Sequence, residues 1–274
     1  MWPLFGSAQG GLSVPGPGGV GVESGGESFS PEDISGLVAY FDVSTGMTLD
    51  ATPPLPSISQ WVSSTGSSVL SQGTKTRQPV EQVNTFGTAP GLFYDSSLVS
   101  DLSFNASGCA LIRQVSGFTA VLVCRPDAVS TDSLLEFSIA GSNSVRWGLS
   151  LKSTGGQNQL RLSARRQDSD SLATLTGTVP VNVGSYSVVA ATVDYTNGLG
   201  AVYVNGQLAG SQTNLVSSGS GTDGTDANGA KLGRATAGGA IFDGMLGDVL
   251  IYQQALTLAD VQAVTQWLED KLGL

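Results

Sequence analysis

What most constrains this chain is a recurring unit: runs of five to eight residues of alternating apolar and polar character, separated by turns rich in Gly and Asn. Phe118 to Arg125 places Phe118, Ala120, Leu122 and Cys124 on one face, and Pro126 ends the run. Arg146–Leu151 and Gln159–Ala164 flank a Gly155-Gly156 turn and read as a hairpin. Ser187–Asp194 leads through the turn Thr196-Asn197-Gly198 into Gly200–Val204. Asn205-Gly206 then suits a type I′ turn, because both residues tolerate positive φ, and Gln207-Leu208-Ala209 follows. Short strands at such close spacing cannot reach parallel neighbours, which need long crossovers. They predict an all-β fold, an antiparallel sandwich of two sheets.

The two ends of the chain break the pattern in different ways. Ser30-Pro31-Glu32-Asp33 starts a helical turn, with Ser30 as N-cap and Pro31 at the first helical position, and it feeds a strand at Leu37–Asp42. At the other end Thr257 is an N-cap with Asp260 in the capping-box position. Val261, Val264, Leu268 and Leu272 form one apolar stripe, and Gly273 stands where a C-cap belongs. A helix at 257–272, packed on the sandwich, is expected; a helix this short does not persist alone in water.

Residues 1–29 form a different kind of segment. From Gly6 to Gly26 the composition holds too little apolar surface to offset chain entropy, so an extended, flexible Gly-rich arm is expected there, with the folded domain at 30–274. At its tip stands Met1-Trp2-Pro3-Leu4-Phe5. Trp2, Leu4 and Phe5 are unfavourable in water unless something receives them, and they are the candidate anchor for a partner protein.

Composition removes several functions. Charged residues make up 12%, and 12 Lys+Arg against 22 Asp+Glu leave a net charge of −10, which repels nucleic-acid backbones and anionic lipid. With no His, Ser–His and Cys–His catalysis and His-ligated zinc are excluded. Cys109 and Cys124 are too few for a disulfide scaffold or a four-thiolate metal site and are expected as buried thiols. No apolar run approaches 18 residues, and MWPLFG lacks the basic start of a secretory signal, so membrane insertion is not expected and synthesis in the cytoplasm is.

Candidate sites are sparse. Glycoside hydrolysis needs two carboxylates about 5–5.5 Å apart in retaining enzymes. The six Glu are residues 23, 27, 32, 81, 136 and 269, and Glu136 has no acidic residue two to five positions downstream. Catalytic residues are therefore expected to be none. The loop Ser220 to Gly229 carries Asp223, Asp226 and Asn228, whose oxygens suit Ca²⁺ (Asp223 and Asp226 as metal ligands) or sugar hydroxyls; a solvated loop without ligand fits the same composition. Arg161, Arg165, Arg166, Asp168 and Asp170 follow a strand and suit the blunting of a sheet edge. Trp147 and Tyr195 are the aromatic candidates for stacking against a sugar, and each suits a core position equally.

The segments together resemble a known family. Lys231-Leu232-Gly233-Arg234, then Ile241-Phe242-Asp243-Gly244-Met245-Leu246-Gly247-Asp248-Val249-Leu250-Ile251-Tyr252, then Ala255-Leu256 and the helix, are similar to the C-terminal block of concanavalin A-like, laminin-G-like jelly rolls, with Asp248 where the family often has Glu. Ala201–Gly206 looks like the family's hairpin, and Phe118–Val123 like its central strand. Gln60-Trp61, Ser64-Thr65-Gly66, Arg77-Gln78-Pro79 and Leu92–Asp95 complete a likeness that covers residues 31–274. The resemblance implies a jelly-roll sandwich that hosts lectins, glycanases and adhesion modules alike. Gly244 and Gly247 are expected to permit close backbone approach and a bend, with Met245, Val249 and Ile251 in the core.

A His-free, Gly-rich sandwich with an apolar tip on a flexible leader is also similar to bacteriophage virion accessory proteins that decorate capsids or form fibres and tail attachments. That likeness implies a non-enzymatic structural protein of the virion, made in the host cytoplasm. Its expected partners are capsid or tail proteins, held by the arm, and host surface glycans. A homo-oligomer, trimer or dimer, is expected from the symmetry of such attachment sites. The alternatives are a bacterial surface or secreted carbohydrate-binding module and a glycanase.

Overall fold

The computed structural model describes residues 29–50, 56–87 and 89–274. Its strands pair antiparallel throughout and form the expected sandwich. The smaller sheet runs in the order Gln207–Gln212, Leu199–Val204, Ser187–Asp194, Gly117–Pro126, Gly244–Tyr252, with Leu37–Phe41 and Ala89–Tyr94 sharing the far side of the last long strand. The larger sheet runs Ala173–Val181, Gln157–Ala164, Val145–Thr154, Ser133–Ser138, Ala230–Leu232, Leu102–Phe104, Val69–Ser71, Ser57–Val62, Met47–Asp50. The hairpin of Val80–Phe86 with Ala89–Tyr94 links the two sheets along one side, so the sandwich is nearly closed there.

Turn chemistry places the strands as their sequences require. Asn205 and Gly206 take φ of 49° and 70°, the left-handed pair that a type I′ turn demands. Gly244 is required by contact: a Cβ there would stand 2.2 Å from the Arg125 carbonyl oxygen. The register of Gly244–Tyr252 against Gly117–Pro126 shifts between Leu246 and Val249, the bend expected at Gly247. Met245, Val249 and Ile251 are fully buried, as is Trp61, whose indole N–H donates to the Asp42 carbonyl at 3.0 Å.

The C-terminal helix spans Leu258–Leu272, with a Thr257/Asp260 capping box and Gly273 in the left-handed region. Val261, Val264, Leu268 and Leu272 are buried against the outer face of the smaller sheet. This explains why Gly117–Pro126 is buried on both faces rather than one. Phe118 faces inward, 5.0 Å from Trp147 between ring centroids, while Thr119 on the opposite face accepts from Leu256 N at 3.0 Å beneath the helix connection. Cys109 and Cys124 are buried, unpaired thiols, and burial pushes Cys124 up to about 12. Ser30 caps a 3-10 turn at Pro31–Asp33, shorter than a full helix because Ile34 already returns to extended backbone. No helix among the described residues is long and apolar enough to cross a membrane.

Candidate binding site

The outer face of the larger sheet builds a cleft from the pleat alone. Across four neighbouring strands Leu135, Leu149, Leu162 and Leu175 stand opposite one another and point into the core. The adjacent row, Glu136–Gly148–Ser163–Thr174, must then point outward, and so must Ser133–Ser150–Arg161–Thr176 beside it. An irregularity at Leu134 keeps Ser133 and Glu136 on the same side. Gly148, directly opposite Glu136, leaves a gap in an otherwise filled row. The result is a cavity of about 160 Å³ walled by Ser133, Glu136, Gly148, Ser150, Arg161 and Ser163.

Its polar groups are held from behind and open in front. Glu136 is 7% exposed, and its Oε1 accepts from Thr236 N at 2.8 Å and from Thr236 Oγ1 at 2.5 Å. Oε2 receives no hydrogen bond among the described residues, and a Cβ built on Gly148 would lie 3.8 Å from it. Ser133 Oγ is likewise buried without a partner. Arg161 donates through Nε to Ser150 Oγ at 3.2 Å. Burial raises the Glu136 carboxyl above its ordinary range, and the bonds from Thr236 with the charges of Arg161 and Lys231 pull it part of the way back. The cleft thus offers two carboxyls, Asp132 and Glu136, one guanidinium and several hydroxyls around a space suited to a single sugar ring.

Asp132, four residues before Glu136, lines the same cavity. Burial raises it too, but its bond comes from Ser130 Oγ and its acidic neighbour is Asp243, whereas Glu136 sits between Arg161 and Lys231. The two carboxyls take their hydrogen bonds from different partners, Asp132 from Ser130 and Glu136 from Thr236.

The residues singled out from the sequence lie elsewhere. Trp147 is fully buried on the inward row, between Phe118 and Phe137, and Tyr195 is fully buried at the end of Ser187–Asp194. Core packing therefore withdraws both from any surface sugar. In the 219–229 loop, Asp223 accepts from Asp168 N, Asp226 pairs with Arg113 at 2.9 Å, and the Asn228 amide donates to Asn143 Oδ1 at 3.2 Å. The three side chains diverge to three separate partners, and among the described residues no cluster of three acidic or thiol groups could hold a metal. These three contacts brace the loop against its neighbours.

The charge cluster is corrected as well. Gln157–Ala164 is paired on both sides and is no sheet edge. Arg161 lines the cleft, and Asp168 takes a bidentate pair of bonds from fully buried Arg146, at 2.7 and 2.6 Å. Trp2, Leu4 and Phe5 lie outside the described residues.

A second polar centre was invisible in the motif. Asp248 is fully buried and accepts from Tyr40 OH at 2.8 Å, Val43 N at 3.0 Å and Lys271 Nζ at 2.6 Å. Lys271 also pairs with Asp42 at 2.8 Å and lies over the Tyr40 and Trp267 rings. It ties the last helical turn to the sheet.

The fold is a jelly-roll β-sandwich, and comparison with known proteins gives the family. A family model described as the concanavalin A-like lectin/glucanases superfamily, Laminin_G_3, matches residues 102–262; the chain belongs to this superfamily. Among solved structures it is similar to domain 4 of AbnA, a GH43 extracellular arabinanase from Geobacillus stearothermophilus, solved in complex with arabinotriose. That likeness has 18% identity over 84% of this chain and 98% of that one, with a TM-score of 0.54. The receptor-binding domain of botulinum neurotoxin mosaic serotype C/D matches at 13% identity over 85% of this chain and 51% of that one, with a TM-score of 0.55. At these identities the likeness is one of fold. No curated protein matches the chain.

Proposed function

We propose that the chain is a non-enzymatic glycan-binding sandwich, displayed on a virion through its N-terminal arm. The observation that carries the binding reading is the buried, unpartnered Ser133 Oγ, which lines the same cavity as the Glu136 carboxylate where Gly148 has no side chain. A buried polar group without a partner costs about 1–3 kcal/mol, so a sheet that keeps such a group beside a ligand-sized space is fitted for hydroxyls from outside. The superfamily contains lectins, and domain 4 of AbnA is a neighbour in fold seen with an arabinose oligomer.

Display on a particle rests on the arm, whose apolar tip and Gly-rich stem are separate in composition from the body. Capsid or tail proteins are the partners of that tip, and a dimer or trimer matches their symmetry. A glycan array followed by calorimetry tests the cleft: wild type binds a neutral or amino-sugar glycan, and Gly148→Ala and Arg161→Ala, each folded by circular dichroism, weaken that binding at least tenfold. Equal binding by the variants would refute the cleft. EDTA is expected to leave affinity unchanged, and incubation with the bound glycan to release no reducing ends. Co-purification with intact particles, lost on substitution of Trp2 and Phe5 by Ser, tests the display; its failure alongside intact glycan binding would favour a bacterial surface module.

A further inference from the structure

Where the chain enters the fold there is a second concave surface with the opposite chemistry. Phe29, Ala263, Trp267 and the stems of Gln266 and Lys271 line a largely apolar groove of about 690 Å³ on the outward side of the C-terminal helix. Its position is fixed on both sides. Lys271 and Trp267 are held by Asp248 and Tyr40, the latter ring lying 5.9 Å from that of Trp267. Phe29 is set at the groove by Ser30, whose N–H donates to Asp33 at 2.7 Å, and by Tyr252, whose hydroxyl donates to the Pro31 carbonyl.

The geometry points to residues 1–5 of the same chain as the occupant of this groove. The chain N-terminal to the described residues begins at the groove itself, at Phe29, and its apolar residues are concentrated in Met1-Trp2-Pro3-Leu4-Phe5. The 23 intervening residues, Gly6 to Ser28, include nine Gly. A chain of that length and composition has a reach of roughly 24–29 Å, enough to turn back on its own point of attachment. A tether of this kind holds its end at about millimolar local concentration, so even a contact of modest intrinsic affinity is filled in cis before a free partner competes. Trp and Phe are the side chains that gain most from such a surface. Docking of the tip to a particle then requires its release from the groove.

The test uses full-length chains and a fluorescein-labelled peptide of the sequence MWPLFGSAQ, read by anisotropy. The double variant Trp2→Ser, Phe5→Ser, with its own tip disabled, is expected to bind the peptide with a sub-millimolar Kd, and the wild-type chain at least tenfold more weakly, because its groove is already occupied. Adding Ala263→Arg, or Gln266→Arg at an exposed helix position, to the double variant abolishes peptide binding while circular dichroism stays unchanged. Equal binding by wild type and double variant overturns the proposal, as does no binding by the double variant up to millimolar peptide. Persistence of binding in both groove variants also overturns it. A wild-type dimer that dissociates on Trp2→Ser, Phe5→Ser would instead assign the groove to the tip of a second copy.

Discussion

The two sheets have similar inner faces and opposite outer ones. On the smaller sheet the outward residues include Thr119, Val121, Val123, Val188 and Ala190, nearly all apolar and buried beneath the C-terminal helix. On the larger sheet the outward rows across the cleft are Glu136, Ser150, Arg161, Ser163 and Thr174, interrupted by Gly148. An apolar outer face must be covered, and here the helix covers it. A polar outer face needs no cover and leaves its groups available to a ligand. One sheet therefore packs apolar residues on both faces, and the other packs them on one face and carries polar residues on the second.

Removing the cover should have the largest effect. Leu268 is fully buried between helix and sheet, so Leu268→Ala is expected to cost about 2–5 kcal/mol in chemical denaturation. Ser163→Ala, on the outer face of the other sheet, should stay within about 0.5 kcal/mol. Similar losses from the two substitutions would erase the contrast between the faces.

The buried charge beneath that cover comes next. Asp248 is compensated by Lys271, whose side chain is 21% exposed. Burial raises the Asp248 carboxyl and the Lys271 charge lowers it again, so without the lysine a desolvated carboxylate is left facing Asp42. Lys271→Ala should cost about 2–3 kcal/mol, somewhat below the value for a wholly buried pair because water reaches the ammonium. In a double-mutant cycle with Asp248→Asn the two losses should fall well short of additive; full additivity would mean that the pair is not coupled.

Much of this architecture was legible in the residues. The helix was readable from Thr257, Asp260, the Val261–Leu272 stripe and Gly273, because caps and a 3.6-residue period are local. The hairpins around Gly155-Gly156 and Asn205-Gly206 were readable for the same reason. The cleft was not, since it is a cross-strand object: Glu136, Gly148, Ser163 and Thr174 are neighbours only once register is set. A usable signal was present in the polar residues at the outward positions of consecutive strands, with a single Gly among them. Trp147 was misplaced because an aromatic between Arg146 and Gly148 reads equally well on either face, and only pairing with Phe137 and Ala164 settles it inward. Asp223, Asp226 and Asn228 looked convergent by spacing, yet their partners lie on different segments, at Asp168, Arg113 and Asn143.

A smaller loss is expected at the start of the cover. Thr257 Oγ1 accepts from Asp260 N at 3.2 Å while the Asp260 carboxylate accepts from Thr257 N at 3.1 Å. Thr257→Ala should cost about 1 kcal/mol, read by thermal melting at a single pH. No change would show that packing of the stripe alone positions the helix.

The smallest effect, one of pH, separates stability from binding by its sign. Burial raises the carboxyls of Asp132 and Glu136 on the cleft side and of Asp248 under the helix above their ordinary values. Between about pH 4, where these groups titrate in the unfolded chain, and their higher folded values, the native state binds more protons than the unfolded one. Stability from these groups is therefore full below the unfolded value and declines as pH rises through the folded ones. Glu136→Gln removes one of the three and should make that decline shallower by a fraction of a kcal/mol. Glycan binding should run the other way, because the ionised Glu136 carboxylate accepts a ligand hydroxyl more strongly than the protonated acid, so affinity falls as acid protonates it. Melting temperature and glycan affinity measured across the same pH series should thus diverge in the wild type, and in Glu136→Gln the pH dependence of affinity should become shallower, Asp132 remaining in the cleft. Parallel trends in the wild type would mean that Glu136 serves only to hold Thr236 and plays no part in binding.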